Sequence, residues 1–146
     1  MTKPMTGFRA NHICAFALLA LMGILQSCSA ESSSEQPVRF VDVETAVAAV
    51  RGGMTVVDVR SDGEWSAGHL QGARHLPLST LELALPASDL DRGQPVLLHC
   101  ASGGRAARAN RQFTAAGFTD VRVLRPGGYN ELSEAGLPTV ALDPDR

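Results

Sequence analysis

Val96-Leu97-Leu98-His99-Cys100-Ala101-Ser102-Gly103-Gly104-Arg105 decides the reading of this chain. The apolar run Pro95–His99 reads as a buried strand. It delivers Cys100 to the rim of a sheet. Small residues follow, and Arg105 opens a helix that runs to Ala116 and stops at Gly117. Two adjacent glycines let the backbone curl so that successive amides point into one concave cradle, an anion-binding nest. The positive end of the helix adds to it. A thiol placed there ionises more readily than a free cysteine, whose pKa is ~8.5. Cys100 therefore reads as a nucleophile at the floor of an anion site, with Ala101, Ser102, Gly103, Gly104 and Arg105 as its walls.

The same alternation extends outward on both sides. Val38–Val41, Met54–Val59, Ala73–Leu76 and Val121–Leu124 are further strand candidates, giving five in all. Between them lie helix candidates: Asp42 capping a helix through Val50, Ser61–Ala67, Ser79 capping one through Leu85, and a last helix ending near Gly136. Short buried strands joined by helices predict a single α/β domain, with a mainly parallel five-stranded sheet flanked by helices. Ligands of such sheets lie at the carboxyl ends of the strands, after Val59 and after His99.

Composition excludes several functions. The 146 residues are 45% hydrophobic, carry a formal net charge of −2 and contain only 5% aromatics. A basic surplus and a base-stacking platform are both missing, so no nucleic-acid partner is expected. Three cysteines cannot build a disulfide scaffold. No Cys/His ligand pattern surrounds His69 and His75, so no metal is expected.

The first 27 residues read as an export signal. Lys3 and Arg9 precede the apolar stretch ICAFALLALMGIL at residues 13–25. That stretch is short for a spanning helix, which needs ~20 residues. Leu25-Gln26-Ser27-Cys28 resembles the lipobox of bacterial lipoproteins. The resemblance implies cleavage before Cys28 and lipid attachment to it, with ordinary signal-peptidase cleavage as the alternative. Residues 28–37 then form a polar tether, and 38–146 the domain. Ser29 is not acidic, so the resemblance implies a bacterial envelope location, at the outer membrane of a Gram-negative cell, or else a periplasmic one. Contact with the membrane would run through the N-terminal lipid alone. Loss of two bases and no acids takes the mature charge from −2 to −4 and leaves Cys100 as the one unmodified thiol.

Cys100 through Arg105 resembles the active-site loop of the rhodanese family of sulfurtransferases. Two further stretches support this. Asp58-Val59-Arg60, Glu64-Trp65, Gly68-His69-Leu70 and Gly72-Ala73 are similar to the family's upstream motif. Pro126-Gly127-Gly128-Tyr129 resembles its C-terminal glycine motif, although Leu132 stands where the family usually has tryptophan. The likeness spans Val38 to Val140. The family's sulfurtransferases have a six-residue loop, as here, while phosphatases of the same fold have one residue more.

The resemblance implies a thiosulfate sulfurtransferase. Cys100 would take the sulfane sulfur of thiosulfate as a persulfide and pass it to cyanide or a thiol. No cofactor is implied, and a monomer is expected. Asp58 and Arg60 would brace the loop. Glu64, His69 and His99 read as structural residues. Arg108 and Arg111 continue a basic stripe from Arg105, which reads as a solvated face or a guide for anions. The alternatives are a persulfide carrier for one envelope partner and an arsenate reductase or phosphatase-like enzyme.

Overall fold

The computed structural model describes residues 37–141. The signal, Cys28 and most of the tether lie outside the described residues. The elements run β1 (Arg39–Val41), α1 (Val43–Arg51), β2 (Thr55–Asp58), α2 (Asp62–Ala67), β3 (His69–Leu70) and β4 (Arg74–His75). They continue with α3 (Leu81–Ala84), β5 (Val96–His99), α4 (Gly104–Ala115), β6 (Val121–Leu124), α5 (Tyr129–Glu134) and β7 (Thr139–Val140).

Five strands form one sheet in the order β1-β6-β5-β2-β4. Every pairing in it is parallel. The expected five-stranded α/β domain is therefore the observed one. β5 lies at the centre with all four residues buried, which accounts for its unbroken apolar sequence.

Side chains alternate across the strands and divide the core in two. Val57, Val96, Leu98, Val121 and Val123 pack with Leu81, Ala106, Ala109 and Phe113 from α3 and α4. Val56, Leu97 and Leu124 face the other way, onto Ala46 and Val47 of α1 and Leu132 of α5. Leu132 is fully buried there.

Side-chain caps explain the starts of α1 and α2. Asp42 accepts the Thr45 amide at 2.8 Å. Ser61 and Glu64 form a capping box at the start of α2. One start differs from expectation. Thr80, not Ser79, caps α3, which is a four-residue helix without a side-chain cap bond.

A second, two-stranded antiparallel sheet joins β3 to β7. Sequence reading left both strands out, because two residues are too few to show a period of two. No helix among the described residues is long and apolar enough to cross a membrane.

Candidate active site

β5 ends at His99, and Cys100 follows with 1% of its surface exposed. The chain then turns through Ala101 and Ser102, both exposed, to Gly103. Gly103 sits at φ +86° immediately before α4. A Cβ there would meet the Leu124 carbonyl oxygen at 2.8 Å, so both conformation and space demand glycine. This turn aims the Gly103 amide back at the cysteine, 3.1 Å from Sγ.

Burial pushes the Cys100 thiol up, since a buried thiolate is poorly solvated. The backbone amides of Ala106, Ser102, Arg105 and Gly103 face the sulfur and outweigh that effect, so the net shift is downward. These amides include one outside the residues 101–105 expected from the sequence, that of Ala106 in the first turn of α4. Ala101 and Gly104 belong to the loop, but their amides are not among these donors. A lowered pKa means that thiolate persists below the usual titration range of a free thiol. The absorbance titration of Cys100 should have its midpoint below the value of a free cysteine measured under the same conditions. A midpoint above that value would contradict the nest.

Arg105 occupies the rim, but its charge is not free. Its two terminal nitrogens hold the Glu64 carboxylate at 2.6 and 2.7 Å. Glu64 raises the Arg105 pKa, and Arg105 in turn holds Glu64 far below the ordinary carboxylate range. The Cys100 thiolate also raises the Arg105 pKa, by a smaller effect than that of Glu64. Glu64 thus belongs to the site. Its structural role, expected from the sequence, extends from the start of α2 to the arginine of the loop. Its sequence signal was the capping box, which gives no hint of a partner 41 positions away.

Asp58 and Arg60 are a buried ion pair at 2.6 Å, with side chains 0% and 6% exposed. Arg60 also donates to the Gly68 carbonyl at 2.7 Å. Its guanidinium lies 4.2 Å above the Tyr129 ring. The Tyr129 amide in turn donates to the Cys100 carbonyl at 2.9 Å. The pair therefore reaches the loop through Tyr129.

Gly128 packs directly on the loop. A Cβ there would lie 2.2 Å from the Cys100 carbonyl oxygen and 2.3 Å from that of Ala101. The C-terminal glycine motif is thus a contact surface for the cysteine loop, which its sequence position does not reveal.

His99 is fully buried. Its Nδ1 faces the Cys100 carbonyl at 3.4 Å, and its Nε2 lies 3.7 Å from Asp58 without a hydrogen bond. Burial lowers its pKa, against the opposing pull of Asp58 and the Cys100 carbonyl. A neutral ring turned to Asp58 is a packing residue, as its strand position predicts. His69 stacks on Trp65 with ring centroids 3.7 Å apart, and His75 stacks on the same ring at 4.5 Å. Arg108 and Arg111 are exposed on α4.

A cysteine in an amide nest after a central parallel strand, closed by an arginine five residues on, has a match among known families. The family model described as a rhodanese-like domain matches residues 33–135. The chain belongs to the rhodanese-like domain family.

Rhodanese-like relatives with assigned names support sulfur transfer as its general activity. The chain is 32% identical over 111 residues to thiosulfate sulfurtransferase 16, chloroplastic, of Arabidopsis thaliana, covering 69% of this chain and 92% of that protein. It is 35% identical over 86 residues to thiosulfate sulfurtransferase GlpE of Pseudomonas fluorescens, covering 59% and 76%. Among solved structures, the polysulfide-sulfur transferase homodimer of Wolinella succinogenes matches with a TM-score of 0.59 at 28% identity, covering 70% of this chain and 78% of that one.

Proposed function

We propose that this protein moves sulfane sulfur from thiosulfate, or a related small anionic donor, to cyanide or a thiol through a persulfide on Cys100. One observation carries the reading: Cys100 Sγ lies 3.1 Å from the Gly103 amide, in a turn whose other amides also lower its pKa. Such a turn stabilises negative charge on sulfur, whether thiolate or persulfide.

The chemistry has two steps. The Cys100 thiolate attacks the outer sulfur of thiosulfate. A new S–S bond forms to Sγ, the donor's S–S bond breaks, and sulfite leaves with the electron pair. Cyanide then attacks the outer sulfur of the persulfide, thiocyanate departs, and the thiolate returns. With a thiol acceptor, the thiolate form takes the sulfur and leaves as a persulfide. The six-residue loop favours this chemistry over phosphoryl transfer, because a tight ring suits a single sulfur better than a tetrahedral anion.

Peptide mass spectrometry on the full chain tests it. After thiosulfate, the peptide bearing Cys100 should gain one sulfur atom, and cyanide should remove it. A folded protein with a free Cys100 thiol that gains nothing would overturn the reading.

A further inference from the structure

Two ion pairs surround the cysteine loop, and they differ in kind. Asp58–Arg60 is closed off from water, with side chains 0% and 6% exposed. Glu64–Arg105 is open, with Glu64 36% and Arg105 30% exposed. An open pair can be broken by an incoming anion; a closed one cannot without uncovering a buried charge.

The open pair also has its anion fixed in advance. Glu64 Oε2 accepts the Ser61 hydroxyl at 2.7 Å and the Ser61 amide at 3.1 Å. The same oxygen meets Arg105 at 2.6 Å, while Oε1 takes the other guanidinium nitrogen. The carboxylate is held by α2 and turned onto the arginine of α4. Both terminal nitrogens of Arg105, at the start of the helix that follows Cys100, are therefore engaged before any substrate arrives.

We propose that Glu64 is a specificity-determining positioning residue, which occupies Arg105 and so selects against highly charged reaction partners of Cys100. A doubly negative donor must displace the carboxylate from Arg105, or enter with its charge uncompensated beside Glu64. A singly charged donor, such as an alkyl persulfide, meets half of that opposition. A neutral reagent meets almost none. The kinetic consequence rests on the proposed sulfurtransferase reading. The selectivity itself rests only on the reactivity of the Cys100 thiolate.

Glu64→Gln tests the idea. Glutamine still serves at the third position of a capping box, so α2 keeps its start. It removes the negative charge that competes for Arg105. The KM for thiosulfate should fall about tenfold, and that for a singly charged alkyl persulfide about threefold, with kcat moving far less. A second measurement does not need sulfur transfer at all. Cys100 in the full chain is alkylated with iodoacetate and with iodoacetamide, reagents of similar size that differ by one charge. The ratio of their rates, read on the Cys100 peptide, should rise about threefold in Glu64→Gln. Ser61→Ala, which loosens Glu64 but keeps its charge, should move the ratio the same way by less.

An unchanged alkylation ratio overturns the inference, whatever the kinetics show. A fall in kcat with constant KM also overturns it, since that would make Glu64 a support for the reacting groups. If Cys100 gains no sulfur from thiosulfate but the ratio rises, the proposed function fails and the selectivity stands.

Discussion

Replacing Cys100 with serine should abolish sulfur transfer and leave the fold in place. The hydroxyl is nearly the size of the thiol, and the Gly103 amide 3.1 Å away can donate to oxygen as it does to sulfur. A buried hydroxyl with a partner costs about 1 kcal/mol or less relative to the thiol. The thermal midpoint should therefore shift by only a few degrees. Chemistry is affected far more. A serine hydroxyl stays protonated at neutral pH, with no base placed to activate it, because His99 Nε2 lies beside Asp58. Nor can it form a disulfide-type bond to a sulfane sulfur. Thiocyanate release from thiosulfate and cyanide should drop by at least about a thousandfold, a loss of about 4 kcal/mol in transition-state stabilisation. A folded Cys100→Ser protein with ordinary turnover would remove Cys100 from the mechanism.

Gly128→Ala should be the most damaging single methyl group near the site. The Gly128 backbone is extended, a conformation open to any residue, so the penalty is one of space alone. The added Cβ would overlap the carbonyl oxygens of Cys100 and Ala101 at 2.2 and 2.3 Å. Those atoms are backbone and cannot rotate away. Relief requires the cysteine loop and the start of α5 to separate. That separation strains the hydrogen bond from the Tyr129 amide to the Cys100 carbonyl and lifts Tyr129 from Arg60. The expected destabilisation is about 3 kcal/mol, at the upper end for overpacking by one methyl. Denaturant unfolding should report it as a lower midpoint at constant slope. The Cys100 pKa should rise towards the free-thiol value as the amides lose their aim. An unchanged unfolding midpoint would show that the loop has room the geometry denies it.

Gly128 and Glu64 mark the limit of sequence reading at this site. Ser61 and Glu64, three residues apart, have the spacing of a capping box, a local pairing that the sequence carries without naming any other partner. The second partner of Glu64, Arg105, follows from the approach of α2 to the start of α4. Gly128 was visible as part of a glycine turn before a helix. The reason that position excludes a side chain is the Cys100 carbonyl, which β5 and the following turn bring beneath it. The paired strands β3 and β7 were hidden for another reason. With two residues each, they owe their pairing to the elements that flank them.

From sequence alone came the α/β class, the five strands of the main sheet, and the glycine turn after β5 that presents Cys100 to the first turn of α4. These depend on short-range physics: apolar runs that must be buried, glycines that permit a tight turn, and a helix start aimed at the preceding residue. Tertiary structure decided the rest: the order β1-β6-β5-β2-β4, the engagement of Arg105 by Glu64, the seating of Gly128 on the loop and the link from Asp58–Arg60 through Tyr129. Each joins groups far apart in the chain. Their meeting depends on how helices and strands pack, and no local pattern of residues encodes that distance.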